Sequence, residues 1–298
     1  MEVSTAYRLL DGKRCSDALK DTIAKSAEAV KMARGRAPHL AAVLVGEDGA
    51  SRTYVEAKVK ACGSVGFRSS LIRLPATITQ EELLDRVHGL NADDSLDGFI
   101  VQLPLPEHID ETVITLAIDP RKDVDGFHPV NVGNMVLGLP GFLPATPSGI
   151  CELLKYYNIE TAGKHCVVVG RSNIVGTPMS ILLSRNAYPG NCTVTLAHSR
   201  TKDLAAITRE ADILVVAIGK AEFVSADMVK DGAVVVDVGI HRLPDASRKS
   251  GHRLVGDVRF PEVAAKSAWI SPVPGGVGPM TITSLLLNTL KAAEGVPA

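Results

Sequence analysis

The 298-residue chain has no surplus of charge: 32 Lys and Arg stand against 33 Asp and Glu, a formal net charge of −1. That balance excludes a basic field for nucleic acid and a broad acidic surface, and leaves a small molecule as the expected partner. The five cysteines (Cys15, Cys62, Cys151, Cys166 and Cys192) are odd in number and contain no Cys-x-x-Cys pair. Neither a disulfide framework nor a zinc site fits this usage; reduced thiols in the cytoplasm do, and no metal is expected. The longest apolar runs are strand-sized, so no membrane span is expected. No charged-then-apolar leader opens the chain, and Glu2 and Asp11 interrupt any likeness to a mitochondrial transit peptide. Internal repeats and low-complexity segments are absent as well.

What the chain does contain is alternation. Apolar, β-rich runs recur at Leu40 to Val45, Ser70 to Leu74, Gly98 to Val101, Val167 to Val169, Val194 to Ala197, Ile213 to Ala217, Val234 to Val238 and Trp269 to Ile270. Segments of helical periodicity separate most of them, which indicates βα units and mainly parallel sheets. Between Asp119 and Thr146 the spacing breaks and prolines crowd, so this stretch reads as a long irregular connection, functional or a domain junction or both. The length suffices for two cores. The expected fold is therefore two α/β domains flanking a cleft, the second a Rossmann-like doubly wound parallel sheet. The first domain takes residues 1–148 plus 281–298, since the helical segment Thr281 to Glu294 returns to it; the second takes 149–280.

The second domain contains Gly170-Arg171-Ser172-Asn173-Ile174-Val175-Gly176-Thr177-Pro178, directly after Cys166 to Val169. Strand, tight glycine turn and helix N-terminus together offer backbone N–H groups and a positive dipole end to a phosphate. Ser172 stands where the common G-x-G-x-x-G has its second glycine, so the motif alone also fits a turn that binds nothing. One further absence bears on the cofactor. The strand Thr193 to Ala197 ends in His198-Ser199-Arg200-Thr201 and not in the acid that would hold a ribose 2′-hydroxyl. With Arg171 beside the glycine turn, a guanidinium and a hydroxyl face the place of a 2′-phosphate, which favours NADP over NAD. Arg200 fits a solvated loop charge equally well.

Four further features lie outside this loop. Tyr54 and Lys58, four residues apart, share a helix face, as a catalytic couple or as a ring beside a solvated ammonium. Short-chain dehydrogenases use such a pair, but after the dinucleotide loop, whereas here it comes well before. Gln102 follows the strand Gly98 to Val101 and precedes Leu103-Pro104-Leu105-Pro106, at the strand end where open α/β sheets place ligands. It can orient a lysine or cap the loop. Lys122-Asp123-Val124-Asp125-Gly126-Phe127-His128-Pro129 holds two carboxylates and an imidazole, at a spacing that matches no common metal site. One carboxylate suits the amino-substituted edge of a heterocycle; an Asx-type turn is the alternative. Pro274-Gly275-Gly276-Val277-Gly278 would let backbone approach a flat ligand.

In this order the motifs resemble the bifunctional methylenetetrahydrofolate dehydrogenase/methenyltetrahydrofolate cyclohydrolase family. The resemblance spans nearly the whole chain: Asp11-Gly12-Lys13, Ser51 to Lys58, Val101 to Pro106, Lys122 to Gly133, Gly170 to Pro178, Asp237-Val238-Gly239 and Pro272 to Thr281. It implies NADP-dependent oxidation of 5,10-methylenetetrahydrofolate, then hydrolysis of the methenyl product to 10-formyltetrahydrofolate. It further implies Lys58 as acid/base, Tyr54 packed on the folate, Gln102 orienting Lys58, and Asp125 gripping the pterin. Val101, Leu103, Pro274, Gly275, Gly276, Val277 and Gly278 complete the substrate site. Gly170, Arg171, Ser172 and Ser199 match the cofactor contacts, and Ile240 matches a backbone contact to the nicotinamide end. Some relatives lack the lysine and keep only dehydrogenase activity; its presence implies both activities here. The family also implies a homodimer. The polar segment Leu243 to Gly251 has no assigned role.

Overall fold

β-branched and apolar residues are concentrated where the backbone is most enclosed, and the computed structural model describes residues 7–46, 49–248 and 251–295. In chain order these form β1 (Arg8–Leu9), α1 (Gly12–Arg34), β2 (His39–Val45), α2 (Gly49–Ser64), β3 (Arg68–Leu74), α3 (Gln80–Ala92), β4 (Gly98–Val101) and α4 (Glu111–Ala117). There follow α5 (Pro129–Leu137), α6 (Ala145–Tyr156), β5 (His165–Val169), α7 (Gly176–Ser184), β6 (Thr193–Ala197), α8 (Leu204–Thr208), β7 (Ile213–Val216) and β8 (Val234–Asp237). The hairpin β9 (His241–Pro244) and β10 (His252–Val255), then α9 (Phe260–Ala264), β11 (Trp269–Ile270) and α10 (Val277–Glu294), complete the order. Glu2, and Lys249 and Ser250 of the Leu243 to Gly251 segment, lie outside the described residues.

Two units divide the chain, one comprising Asp17–Ala145 with Ile282–Ala298 and the other Met1–Ser16 with Thr146–Thr281. Among the described residues the first unit has a three-stranded sheet in the order β3-β2-β4, with all pairs parallel. Every residue of β2 is buried, because both of its faces are covered. Alternation then sorts its side chains. Leu40, Ala42 and Leu44 pack with Ile23 and Ala27 of α1, Val55 and Cys62 of α2, and Leu286 and Leu290 of α10. Ala41, Val43 and Val45 face the opposite side, with Leu83 and Val87 of α3 and Ile114 of α4. Each fully buried aliphatic side chain contributes roughly 1.5–3 kcal/mol through its removal from water. A capping box starts α3: Thr79 Oγ1 accepts from the Glu82 amide at 3.2 Å, and the Glu82 carboxylate accepts from the Thr79 amide at 2.9 Å.

The other unit has a parallel sheet in the order β1-β11-β8-β7-β5-β6, and β9 and β10 pair antiparallel beside it in sequence. Counted from β5, the strands read 2-1-3-4-5, with β1 added at the far edge. The order reverses between β5 and β7, where doubly wound sheets leave a crevice beyond their strand ends. Gly170 closes β5 at φ 125°, and a Cβ there would stand 2.1 Å from the Ala217 carbonyl oxygen beyond β7. A Cβ on Gly176 would meet the Gly170 oxygen at 1.9 Å, so this turn admits glycine alone at both positions.

Several sequence expectations need correction. Residues up to Ser16 group with the six-stranded unit and not with the first domain, because Arg8–Leu9 pair in parallel with Trp269–Ile270. The Asp119 to Thr146 connection is not irregular throughout. It contains α5, started by Pro129 in the first turn and by His128, whose ring accepts from the Val130 amide at 3.1 Å. The last helix begins at Val277 and not at Thr281, so the end of the glycine loop is helical. Leu243 and Pro244, which open the polar segment, belong to β9 and pair with Arg253 and His252 of β10.

Candidate active site

On α2, Val55, Lys58 and Cys62 follow one another at helical spacing and are 0%, 4% and 0% exposed. The lysine thus occupies a core-facing stripe, where an apolar side chain is the stable choice. Such a conflict between residue and pattern marks functional positions. Burial holds the Lys58 ammonium below its ordinary range, against the opposing pull of the Asp125 carboxylate and then of Cys62. Its Nζ donates to Gln102 Oε1 at 3.1 Å and lies 5.1 Å from the centre of the Tyr54 ring. Gln102 is itself aimed: its Nε2 donates to the Leu103 carbonyl at 2.8 Å, and its amide continues the strand ladder to Val43 at 2.9 Å. A lysine that exchanges protons near neutrality needs such surroundings.

Asp125 sits in the turn after a short bridge between Phe99 and Asp123. Gly126 allows that turn, since it has φ 74° and a Cβ there would meet Leu143 at 2.6 Å. A small cavity beside it is lined by Val101, Leu103, Phe99, Asp123, Asp125 and Phe127. Asp123, to which the sequence reading gave no role of its own, is the buried member of the pair. It accepts from the His128 amide at 2.7 Å and from Asn131 Nδ2 at 2.9 Å. Burial pushes its carboxyl up to about 6, while these donors oppose the shift. Asn131 also accepts from the Phe142 amide at 3.2 Å. Sequence reasoning missed it because a side chain reaching eight residues back leaves no periodic trace.

Tyr54, Lys58, Gln102 and Asp125, with Val101 and Leu103, therefore cluster in the three-stranded unit. Pro274 to Gly278 belong to the six-stranded unit. There Gly276 has a packing reason of its own, since a Cβ on it would stand 2.5 Å from the Pro272 oxygen. Gly278 is a neighbour of Ile240, whose Cδ1 lies 3.5 Å from the position of a Cβ on the glycine.

A cavity of ≈ 270 Å³ lies over the ends of β5, β6 and β7, and its lining includes Gly170, Arg171, Ser172, Ser199, Lys220 and Phe223. All of the expected cofactor residues border it except Ile240, which is exposed on the loop after β8. Arg200 is not among the lining residues, whereas Lys220 and Phe223, not expected, are. Ser172 has a second use: its Oγ accepts from the Val175 and Gly176 amides at 3.2 and 3.4 Å and so shapes the start of α7. Beyond β8, buried Asp237 accepts from the amides of Gly239, Asp257 and Val258 at 2.9, 2.9 and 3.0 Å. Burial raises its carboxyl to about 6. Among the described residues no cluster of three or more His, Cys, Asp or Glu could hold a metal.

A glycine turn too tight for any Cβ, a cavity at the reversal of a doubly wound sheet and a separate buried lysine define a dinucleotide-dependent α/β enzyme. Residues 10–125 match the family described as tetrahydrofolate dehydrogenase/cyclohydrolase, catalytic domain, and residues 144–296 match its NAD(P)-binding domain. The chain belongs to the tetrahydrofolate dehydrogenase/cyclohydrolase family. It is 65% identical to the bifunctional protein FolD of Cytophaga hutchinsonii, covering 96% of this chain and 99% of that one. The bifunctional protein FolD of Porphyromonas gingivalis is 60% identical, with 99% of each covered. Among solved structures, the Campylobacter jejuni FolD methylenetetrahydrofolate dehydrogenase/cyclohydrolase superposes with TM-score 0.91 at 49% identity, covering 97% of this chain and 99% of that one. The Trypanosoma brucei enzyme, solved with NADP and an inhibitor, gives TM-score 0.92 at 39% identity, covering 97% and 98%.

Proposed function

We propose that this protein oxidises 5,10-methylenetetrahydrofolate to the 5,10-methenyl form with NADP and hydrolyses that product to 10-formyltetrahydrofolate. The observation that carries the reading is the buried Lys58 amine held 3.1 Å from Gln102 Oε1. A dehydrogenase without cyclohydrolase activity has no use for it and is not favoured.

NADP, when bound, supplies the acceptor for the hydride that leaves the methylene carbon. The Gly170 to Ser172 turn, Arg171 and Ser199 would hold it, with Ile240 offering backbone toward the nicotinamide end. The cavity and a turn shaped for close backbone approach fit that group. Tyr54 packs against the folate, Asp125 takes the amino-substituted edge of the pterin, and Val101 and Leu103 flank Gln102 at the reacting end. Pro274 to Gly278 present backbone to the substrate.

Hydrolysis needs proton transfer at one place. Lys58, whose neutral form burial favours, accepts a proton as water adds to the cationic methenyl carbon. The resulting ammonium returns a proton to N5 as the C–N5 bond opens. The hydroxyl proton leaves to solvent as the formyl carbonyl forms, so one proton is released overall. Gln102 keeps the amine aimed through both transfers.

The same reading makes the protein a cytoplasmic homodimer that takes tetrahydrofolate derivatives and has neither nucleic acid nor membrane as partner. The charge balance supports it, as do five free, buried thiols. Among the described residues no helix is long and apolar enough to cross a membrane. Sedimentation equilibrium checks the dimer. For the activity, the protein is mixed with methylenetetrahydrofolate and either NADP or NAD, and methenyltetrahydrofolate absorbance is followed. Formation with NADP, then decay at a rate proportional to enzyme, is expected; accumulation without enzyme-dependent decay would leave only the dehydrogenase.

A further inference from the structure

The ≈ 270 Å³ cavity is bounded on one side by His198, Ser199 and Leu204 after β6, and on the other by Ile218, Lys220 and Phe223 after β7. Neither Gly239 nor Ile240, beyond β8, borders it. It is therefore the adenosine half of a dinucleotide site and not the nicotinamide half. Within it Phe223 is anomalous, a large aromatic side chain left 40% exposed in a chain with only 4% aromatic residues.

The backbone that aims this ring is held under strain. Glu222 precedes it with φ 51°, a left-handed conformation that side chains other than glycine rarely adopt. Four hydrogen bonds keep it there. The Glu222 amide donates to the Gly256 carbonyl at 2.9 Å, and Arg259 Nε donates to the Glu222 carbonyl at 2.9 Å. Both Arg253 terminal nitrogens donate to the Glu222 carboxylate at 3.2 Å each. Strain over-determined in this way is characteristic of ligand clamps. Arg253 belongs to β10, so the β9–β10 pair acquires a use: it braces the residue that turns Phe223 toward the cavity.

We propose that Phe223 is the surface against which the adenine ring of the dinucleotide packs. Lys220, whose Nζ lies 5.6 Å from the centre of the Phe223 ring and which also lines the cavity, holds the ring and adds positive charge near the phosphates. An aromatic face suits a purine because both present π surfaces, and an apolar contact of this kind does not distinguish NADP from NAD. That indifference separates Phe223 from Arg171.

The proposal rests on the NADP reading, and its test uses adenosine 2′,5′-bisphosphate, which carries the adenine and two phosphates but no nicotinamide. Phe223→Ala is expected to weaken calorimetric binding of this probe, of NADP and of NAD alike, each about tenfold. Cyclohydrolase turnover, measured without cofactor, stays at the wild-type rate and reports that the chain is folded. Phe223→Trp restores affinity to within about twofold, and the indole emission added to that of Trp269 is quenched by the probe. Unchanged affinity in the Ala variant, or an indole indifferent to saturating probe, overturns the adenine contact. Failure of the wild-type protein itself to bind NADP overturns the cofactor reading instead.

Discussion

Lys58 is 4% exposed on a core-facing helix stripe, whereas Arg171 stands in solvent on a loop beyond β5. The first group works because its surroundings shift its proton equilibrium, and for that it must be enclosed by a helix, a strand end and a turn. The second works as a fixed charge near a phosphate, for which exposure is no obstacle. One region needs the tertiary core to create a chemical property; the other needs only backbone geometry and a permanent charge. Substitutions in the two regions should therefore fail differently.

The largest effect is expected from Lys58→Met. It should slow methenyltetrahydrofolate hydrolysis by about a thousandfold, the scale of a lost general acid/base. Cofactor affinity in the other unit should not change. Because burial lowers the lysine's pKa, wild type loses stability as pH falls from the unfolded-chain value of 10.5 toward the folded one and loses no more below it, so the variant should be the more stable through and below that window. Methenyl absorbance and urea unfolding read the two arms; normal hydrolysis by this variant would falsify the role of Lys58.

Asp123→Asn comes next. Burial raises the carboxyl from 3.8 to about 6, so its protonated form is the one that favours folding. As pH rises from about 4 through 6, wild type should lose about 3 kcal/mol relative to the variant, with no further change above. Urea unfolding at pH 4.5 and pH 7 measures the difference. A flat difference would mean that Asp123 does not titrate in this range.

Arg171→Ala should weaken NADP binding by about tenfold to a hundredfold, the loss of a charge-assisted contact, and change NAD little. Equal losses would remove the argument for 2′-phosphate recognition. Cyclohydrolase activity should survive intact, which tests the independence of the two regions from the opposite side to Lys58→Met. The smallest expected effect is that of Thr79→Ala, which breaks the α3 capping box. A loss of about 1 kcal/mol in unfolding is anticipated, with both cofactor affinity and hydrolysis unchanged. If catalysis falls with it, α3 is more than scaffold.

The buried strands were legible because parallel strands covered on both faces read as continuous apolar runs; β2 and β7, buried at every position, are of this kind. Strands lacking that cover left no such trace. In β1 both residues are exposed, and β9 and β10 alternate polar side chains in a two-stranded hairpin. Helix α5 was hidden by the prolines around it, although His128 before Pro129 is a helix start in its own right. In the site, the Tyr54–Lys58 pairing was read from helical spacing. The same spacing contained the stronger signal, Val55-x-x-Lys58-x-x-x-Cys62, a lysine between two core residues. Glu222, Phe223, Arg253 and Arg259 were out of reach, since the two arginines meet Glu222 only across 31 and 37 residues of chain.

Local order was written in the chain alone: alternating runs define the βα units, glycines at 170 and 176 define the turn, and residue types at 54, 58, 102 and 125 define a chemistry. Those properties depend on neighbours a few residues away, or on the identity of a side chain. Folding decided which carboxylate of the Asp123 and Asp125 pair is buried, how far Lys58 is removed from water, and where the first strand and Phe223 find partners. Dielectric surroundings and contacts across long sequence separations arise only when the sheets assemble, so no reading of spacing could have supplied them.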